Sequence, residues 1–291
     1  MLAQLFAVIA PVFFTAAVGF VWVKSGRTFD IRQLTPLITQ VGSPCLVLST
    51  LLEAQIAPGA LVQMAGASAL AHAAALAGGA VLLTLAGLPR KSFLPALTFP
   101  NTGNMGLPLC LFAFGEEGLA LAIGYFVVSG VGQFTVGYAL AAGTVDWKKL
   151  VRTPVIWAVA LAVLLIGTDT ALPAFATNTI GLIGQFTIPA MLLALGVSLA
   201  SLQVKRLAVP GGLAVARIAG GAAIGAGVVA ILGLEGPAAG VVLLQSAMPV
   251  AVFNYLFAAL HGNRPEEVAG LVVVSTALSF ATLPFLLAWA L

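Results

Sequence analysis

The chain has 291 residues, of which 61% are hydrophobic and only 7% are charged, and its mean hydropathy is +1.13. A soluble domain averages about 45–50% apolar and about 25% charged residues, so nine acidic and twelve basic side chains are too few for a water-soluble body of this size. The composition excludes a soluble enzyme, a nucleic-acid-binding protein and a secreted disulfide scaffold. It predicts an all-α polytopic membrane protein.

Ten membrane spans are predicted in chain order, because one helix needs about 20 apolar residues to cross the hydrocarbon of a bilayer. The first apolar run has no basic segment before it, so we expect a retained span and not a signal peptide. The predicted spans cover residues 2–23, 34–52, 60–88, 92–114, 118–142, 153–168, 172–199, 207–234, 237–259 and 268–291.

The placement of the charges favours ten spans over nine. Eleven of the twelve basic residues follow odd-numbered spans. The charged residues in the loops after even-numbered spans are all acidic. Merging the sixth and seventh spans would destroy this pattern. Cytoplasmic loops carry the excess of Lys and Arg, so both termini are predicted to lie outside, on the periplasmic face of a bacterial inner membrane. The basic residues concerned are Lys24, Arg27, Arg32, Arg90, Lys91, Lys148, Lys149, Arg152, Lys205, Arg206 and Arg264.

The two halves of the chain carry similar motifs in the same order. Pro44 in VGSPCLVLSTLLEA matches Pro189 in QFTIPAMLLALGVSLA at an offset of 145 residues, and Pro100 in LTFPN matches Pro249 in SAMPV at an offset of 149. Each half contains five predicted spans, and an odd number forces the second half to enter the membrane upside down. Inverted repeats of this kind build secondary transporters. Chance similarity between apolar sequences is the alternative.

The fourth predicted span contains a segment that breaks helices. PNTGNMGLP, residues 100–108, holds two Pro, two Gly and two Asn within nine residues at membrane depth. Pro removes a backbone donor and Gly favours unwinding. Irregular backbone at this depth is tolerated only where it is buried in protein or lines a wet cavity. We therefore expect a break at Pro100, with Asn101 and Asn104 offering amide groups to a ligand; a simple proline kink with Asn-mediated helix contacts is the alternative.

The ninth span, LLQSAMPVAVFNYLFAALHG, is the repeat-related counterpart. Its candidate residues are Pro249 and Val250 at the break and Asn254 just after it. If both helices break and cross, four half-helix ends meet near the midplane. The two N-terminal ends each carry roughly half a positive charge, which suits a small anion.

Arg217 is the one basic residue inside a predicted span. It is either a counter-charge for an anionic substrate or a residue that snorkels to the cytoplasmic face or binds lipid. No Asp or Glu falls in the middle of a predicted span. Proton and Na⁺ coupling commonly use buried carboxylates, so coupling to a cation is not expected, although carbonyl groups at broken helices are an alternative site for Na⁺.

Three segments resemble the auxin efflux carrier family, which includes plant exporters of the PIN type and short prokaryotic members. These segments are PNTGNMGLPL in the fourth span, SAMPVAVFNYLFA in the ninth, and STALSFATLPFLLAWAL at the end. The resemblance implies the fold of bile-acid:sodium symporters and sodium/proton antiporters, a homodimer, and an elevator mechanism. It also implies carboxylate substrates such as malate or malonate.

The resemblance also implies a domain organisation and site residues. The first repeat covers residues 1–145 and the second, inverted repeat residues 146–291. A scaffold domain of about 1–57 and 153–203 would hold a transport domain of about 58–145 and 204–291. Pro44 corresponds to the proline of the second span at the substrate path. Pro100 and Asn101 correspond to the first crossover, and Pro249 to the second.

The sequence therefore predicts a secondary carrier for a small organic anion, in particular a carboxylate. No catalytic residue, metal site, cofactor or nucleic-acid partner is expected; the partners are the anion, the bilayer and a second copy of the chain. One alternative is a symporter that couples an amphipathic organic anion to Na⁺ or H⁺. Another is a membrane receptor, which would bind without flux, or a membrane enzyme, which needs carboxylates, a Ser–His pair or a metal at depth.

Overall fold

The computed structural model describes residues 2–54, 57–144, 153–202, 204 and 207–290. Within these residues the regular structure is helical, apart from an isolated antiparallel bridge between two extended segments. The predicted boundary between the two halves lies outside the described residues. So do five of the basic residues that set the predicted orientation, namely Lys148, Lys149, Arg152, Lys205 and Arg206.

The first half of the chain forms helices that follow the predicted spans. Short π-helical turns at Ile38–Gly42 and Gln133–Gly137 join α2 to α3 and α6 to α7, and another at Thr102–Gly106 leads into α6. The α-helices are α1 (Leu2–Lys24), α2 (Ile31–Leu37), α3 (Ser43–Ala54), α4 (Pro58–Leu85), α5 (Arg90–Thr98), α6 (Leu107–Gly132) and α7 (Tyr138–Ala142).

The second half is helical in the same way. Two of its helices, α10 and α12, end at left-handed glycines, where a side chain would be strained. The helices are α8 (Pro154–Gly167), α9 (Ala174–Ser201), α10 (Ala208–Leu232), α11 (Gly236–Ser246), α12 (Val252–His261) and α13 (Pro265–Ala290).

A helix lies at each predicted span, and seven stretches in the described residues are long and apolar enough to cross a membrane unaided. The chain is therefore a multi-pass membrane protein. A kink at Gly115 separates two helices at the boundary predicted between the fourth and fifth spans, residues 114–118. The positive φ of 68° at this residue is accessible to glycine. Ten separate crossings and the inverted relation of the halves stay predictions.

Helix packing divides the helices into two sets. In the first set α1 packs along α9, α9 along α3, and α3 along α8. Gly19 and Gly196 allow the backbones of α1 and α9 to touch, since a Cβ at Gly196 would collide with the carbonyl of Ala16. The second set is built on α4 against α5 and α6, and on α10 against α11 and α13.

Two spans of the second set are interrupted at the prolines where the sequence predicts a break. Helix α5 ends at Thr98 and α11 ends at Ser246, and the extended residues that follow pair at the bridge between Pro100 and Val250. The N–H of Asn101 donates to the carbonyl of Pro249 at 2.7 Å. The predicted interruptions at Pro100 and Pro249 are confirmed, and the two broken segments pair with each other.

Candidate functional site

Four half-helix ends surround the paired segments, here called the crossing. The C-terminal ends of α5 and α11 lie before it, and the helices at Thr102 and Val252 begin after it. Free carbonyl groups at a C-terminal end attract cations, and free N–H groups at an N-terminal end attract anions. The crossing therefore has a negative and a positive pair of ends.

The crossing borders a cavity on the side of its N-terminal ends. The cavity has a volume of about 100 Å³, enough for several water molecules or a small organic ion. One wall comes from the crossing and α6, and the opposite wall comes from α8, α9 and the segment between α2 and α3. The polar residues of the lining are Thr39, Ser43, Asn101, Thr102, Asn104, Gln133 and Thr153.

A second cavity of about 360 Å³ adjoins the first. The two share Asn104, Val252 and Phe253, and the second extends to Arg32 beyond the end of α1. Arg32 is one of the basic residues that follow the first predicted span. Together the two cavities lie between the crossing and Arg32.

Two of the residues that line the first cavity carry a buried amide nitrogen without a hydrogen-bond partner among the described residues. They are Asn101, which is 5% exposed and whose Nδ2 is unpaired, and Gln133, which is 6% exposed and whose Nε2 is unpaired. Buried polar groups are normally paired, so an unpaired donor on a cavity indicates a ligand or water. Sequence reasoning does not find Gln133, although its place between glycines in GVGQFTVG at membrane depth is a signal.

Three predicted residues hold the crossing together and do not line the cavity. Asn254 donates from Nδ2 to the carbonyls of Phe99 at 3.0 Å and Ala251 at 3.1 Å. The N–H of Val250 donates to the hydroxyl of Ser275 at 3.1 Å, and Pro249 accepts from Asn101. Their contacts are with the backbone of the crossing and with α13.

The remaining first-half candidates divide between the cavity and its surroundings. Pro100, Asn101 and Asn104 line it, whereas Pro44 is half-buried next to the lining residue Ser43. Behind the cavity, Thr102 donates to the hydroxyl of Ser129 at 3.1 Å. That hydroxyl lies 3.1 Å from Nε2 of His72, so a polar chain leads from the cavity into α4.

Arg217 lies on the other side of the crossing from the cavity. It is 3% exposed, and its guanidinium donates to the carbonyls of Leu97 at 2.9 Å, Met248 at 3.3 Å and Ser246. These carbonyls are at the C-terminal ends of α5 and α11. The structure thus separates Arg217 from Asn101 and Asn104, which sequence reasoning placed in one site.

Acidic residues are absent from the interior of the described part of the chain, where every carboxylate is exposed or half-buried. In the same residues, no three His, Cys, Asp or Glu side chains lie close enough to hold a metal ion. The polar character of the cavity therefore comes from amides, hydroxyls and helix ends.

Sequence comparison shows that this chain is similar to membrane transport proteins. A family model described as membrane transport protein matches residues 138–287. An uncharacterized transporter of Methanocaldococcus jannaschii is 25% identical over 213 residues, which is 69% of this chain and 65% of the relative. An uncharacterized transporter of Methanothermobacter thermautotrophicus is 27% identical over 198 residues, 65% of this chain and 64% of the relative.

The chain thus covers less than two thirds of the length of either relative. With the family model matched over half of its length, the chain belongs to the membrane transport protein family, the family of the auxin efflux carriers that its broken spans resemble.

Proposed function

We propose that this protein is a secondary carrier that binds a small organic anion, a carboxylate, in the cavity beside the crossing. The observation that carries the proposal is the pair of unpaired amide donors, Asn101 Nδ2 and Gln133 Nε2, on one cavity. An ionised carboxylate accepts hydrogen bonds and donates none, so it complements unpaired N–H donors. Hydrogen bonds to such a charged acceptor are the stronger kind.

The N-terminal helix ends beside the cavity also favour a negatively charged ligand. The helices that begin at Thr102 and Val252 point their N-terminal ends toward the cavity, and each end contributes roughly half a positive charge. Their sum, about one unit, matches one carboxylate. Phe126, Phe134 and Val252 add apolar surface to the lining, which suits a ligand with a short hydrocarbon part.

Transport follows from the position of the cavity between the two sets of helices. Ile38, Ile156 and Met191 belong to one wall and the crossing to the other, so relative sliding of the sets would carry the bound anion past a fixed wall. We propose this elevator motion, with α1–α3, α8 and α9 as the scaffold and the other helices as the transport domain. The ten-span inverted repeat and a homodimer through the scaffold belong to the same proposal.

The proposed driving force is electrical. With the basic loops in the cytoplasm, the membrane potential expels an anion at about 2.3 kcal/mol per charge per 100 mV. Buried carboxylates, which commonly carry coupling protons or Na⁺, are absent from the described interior. We therefore propose a carrier that does not require an ion gradient.

The test is uptake of radiolabelled mono- and dicarboxylates into proteoliposomes, with and without imposed Na⁺ and pH gradients. Asn101→Asp replaces the donor with a negative charge of the same shape. It should raise the KM about 10- to 100-fold, because a hydrogen bond to a charged group is worth about 1.5–3 kcal/mol. Asn178→Asp adds the same charge at an exposed position of α9 and should leave the KM unchanged.

Two results would contradict the proposal. One is saturable binding without flux for every carboxylate, which would indicate a receptor. The other is an Asn101→Asp variant that transports the carboxylate with the wild-type KM. Uptake that requires a Na⁺ or proton gradient would instead replace the uncoupled carrier by a symporter.

A further inference from the structure

The contacts of Arg217 join two helices that are far apart in the sequence. Its guanidinium bonds Leu97, in the last turn of α5, and Ser246 and Met248, at the end of α11. Carbonyls at the end of a helix have no partner within the helix. One side chain therefore satisfies the open ends of both interrupted helices.

The local backbone is shaped for this contact. Gly221 lies four residues after Arg217 on α10, and a Cβ there would collide with the carbonyl of Ser246. The glycine lets α10 approach the end of α11 closely enough for the guanidinium to reach three carbonyls. Tyr125, whose hydroxyl lies 3.0 Å from that of Ser246, closes the same region from α6.

The charges balance at this point. Helices α5 and α11 have nine and eleven residues, and each C-terminal end carries roughly half a negative charge. Two such ends sum to about one negative charge, which one guanidinium neutralises. No carboxylate of the described residues is buried with it, so the carbonyls are the partners of this charge.

We propose that Arg217 is the built-in counter-charge of the crossing and, through it, a determinant of anion selectivity. By neutralising the two C-terminal ends, it leaves the positive N-terminal ends unopposed on the cavity side. Arg217 is a positioning residue, since it does not touch the cavity. Its effect on transport rests on the proposed function, whereas its effect on the stability of the crossing does not.

The competing explanation is that Arg217 acts only as a hydrogen-bonding tether. Charge and hydrogen bonding are separable, because urea and guanidinium are planar donors of nearly the same shape and only guanidinium is charged. A groove of about 230 Å³ between α4 and α10, lined by Gly78, Gly220 and Arg217, adjoins the site.

The experiment measures thermal unfolding of the purified full chain. Arg217→Ala should lower the Tm by roughly 10 °C, because it leaves buried carbonyls without their charge partner. Millimolar guanidinium chloride should restore several degrees, whereas urea or NaCl at equal concentration should not. The control is Leu213→Ala, one turn away on α10 and also buried. It creates a cavity but leaves the contacts of Arg217 with the helix ends intact, so guanidinium should not restore its Tm.

Conservative variants give the second measurement. Arg217→Lys keeps the charge and should stay more stable than Arg217→Gln, which keeps donors but is neutral. Equal rescue by urea and guanidinium, no rescue by either, or equal rescue of Leu213→Ala would overturn the proposal. In proteoliposomes that transport a carboxylate, Arg217→Gln should raise the KM about tenfold more than Arg217→Lys. If nothing is transported, the proposed function fails while the thermal data still decide the role of Arg217.

Discussion

At the residue scale, the buried amides differ in how they are paired. The amide nitrogen of Asn254 donates to carbonyls of the crossing, whereas those of Asn101, Gln133 and Gln245 have no partner among the described residues. An unpaired buried donor costs about 1–3 kcal/mol of stability. Asn101 and Gln133 line the cavity and Gln245 does not, so the unpaired donors and the cavity together indicate the site.

A first prediction concerns Gln133. Replacement by Met keeps the length of the side chain and removes the unpaired amide, so the Tm should rise by a few degrees. Affinity for the transported carboxylate should fall at least about tenfold, because a donor is lost. Thermal unfolding and uptake are measured on the same preparation.

The matched control is Gln63→Met, the same change at an exposed position of α4. It should alter neither the Tm nor the KM beyond experimental scatter. A Gln133→Met variant that loses stability and keeps its affinity would show that the amide serves the fold and not the ligand.

At the element scale, the helices divide according to how they are held. Helices α1 and α9 rely on close backbone contact at small residues, since lipid gives no hydrophobic drive for helices to associate. Helices α5 and α11 are too short to cross a bilayer and rely on the crossing for their position. Helices α1 and α9 are thus held by packing, and α5 and α11 also by polar contacts at their broken ends.

A second prediction tests the packing of α1 on α9. Gly196→Ala places a methyl group against the carbonyl of Ala16 and should lower the Tm by several degrees, because overpacking costs about 1–3 kcal/mol. Gly181→Ala lies on the same helix with open space around it and should leave the Tm equal or slightly higher. Equal losses in both variants would mean that the two helices do not approach as closely as described.

At the scale of the whole molecule, the two adjoining cavities lie on one side of the crossing. They run from the crossing to Arg32 on one side of the chain, while Asp169 lies in the turn between α8 and α9 on an acidic loop. With the basic loops in the cytoplasm, as we propose, the cavities would open to the inside. An alternating carrier must also reach a state open to the outside, which the same cavity would face after the proposed sliding motion.

A third prediction tests this direction with a membrane-impermeant maleimide. Ser198→Cys lies in the wider cavity and should be labelled in inside-out vesicles. Asp169→Cys should be labelled only in right-side-out vesicles, and the wild type, whose Cys110 is buried and Cys45 half-buried, gives the background. Labelling of both variants from the same side would contradict the prediction that the cavity opens to the cytoplasm.

Much of this protein is determined by local properties of the sequence. Apolar runs fix where helices lie, and the interruptions at Pro100 and Pro249 are predictable because proline chemistry and glycine content act within a few residues. The same reasoning identifies Asn101 and Asn104, which sit inside the break. It also places the boundary between the fourth and fifth spans at the kink of Gly115.

The tertiary structure alone decided which groups meet. Arg217 bonds Leu97 across 120 positions of the chain, and Asn254 bonds Phe99 across 155. Nothing within a single apolar sequence specifies partners at such separations, because these contacts depend on the path of the whole chain. For that reason the sequence by itself determined a membrane protein with two broken helices. The folded chain decided that its buried arginine faces the carbonyl ends and that Gln133 joins Asn101 at the cavity.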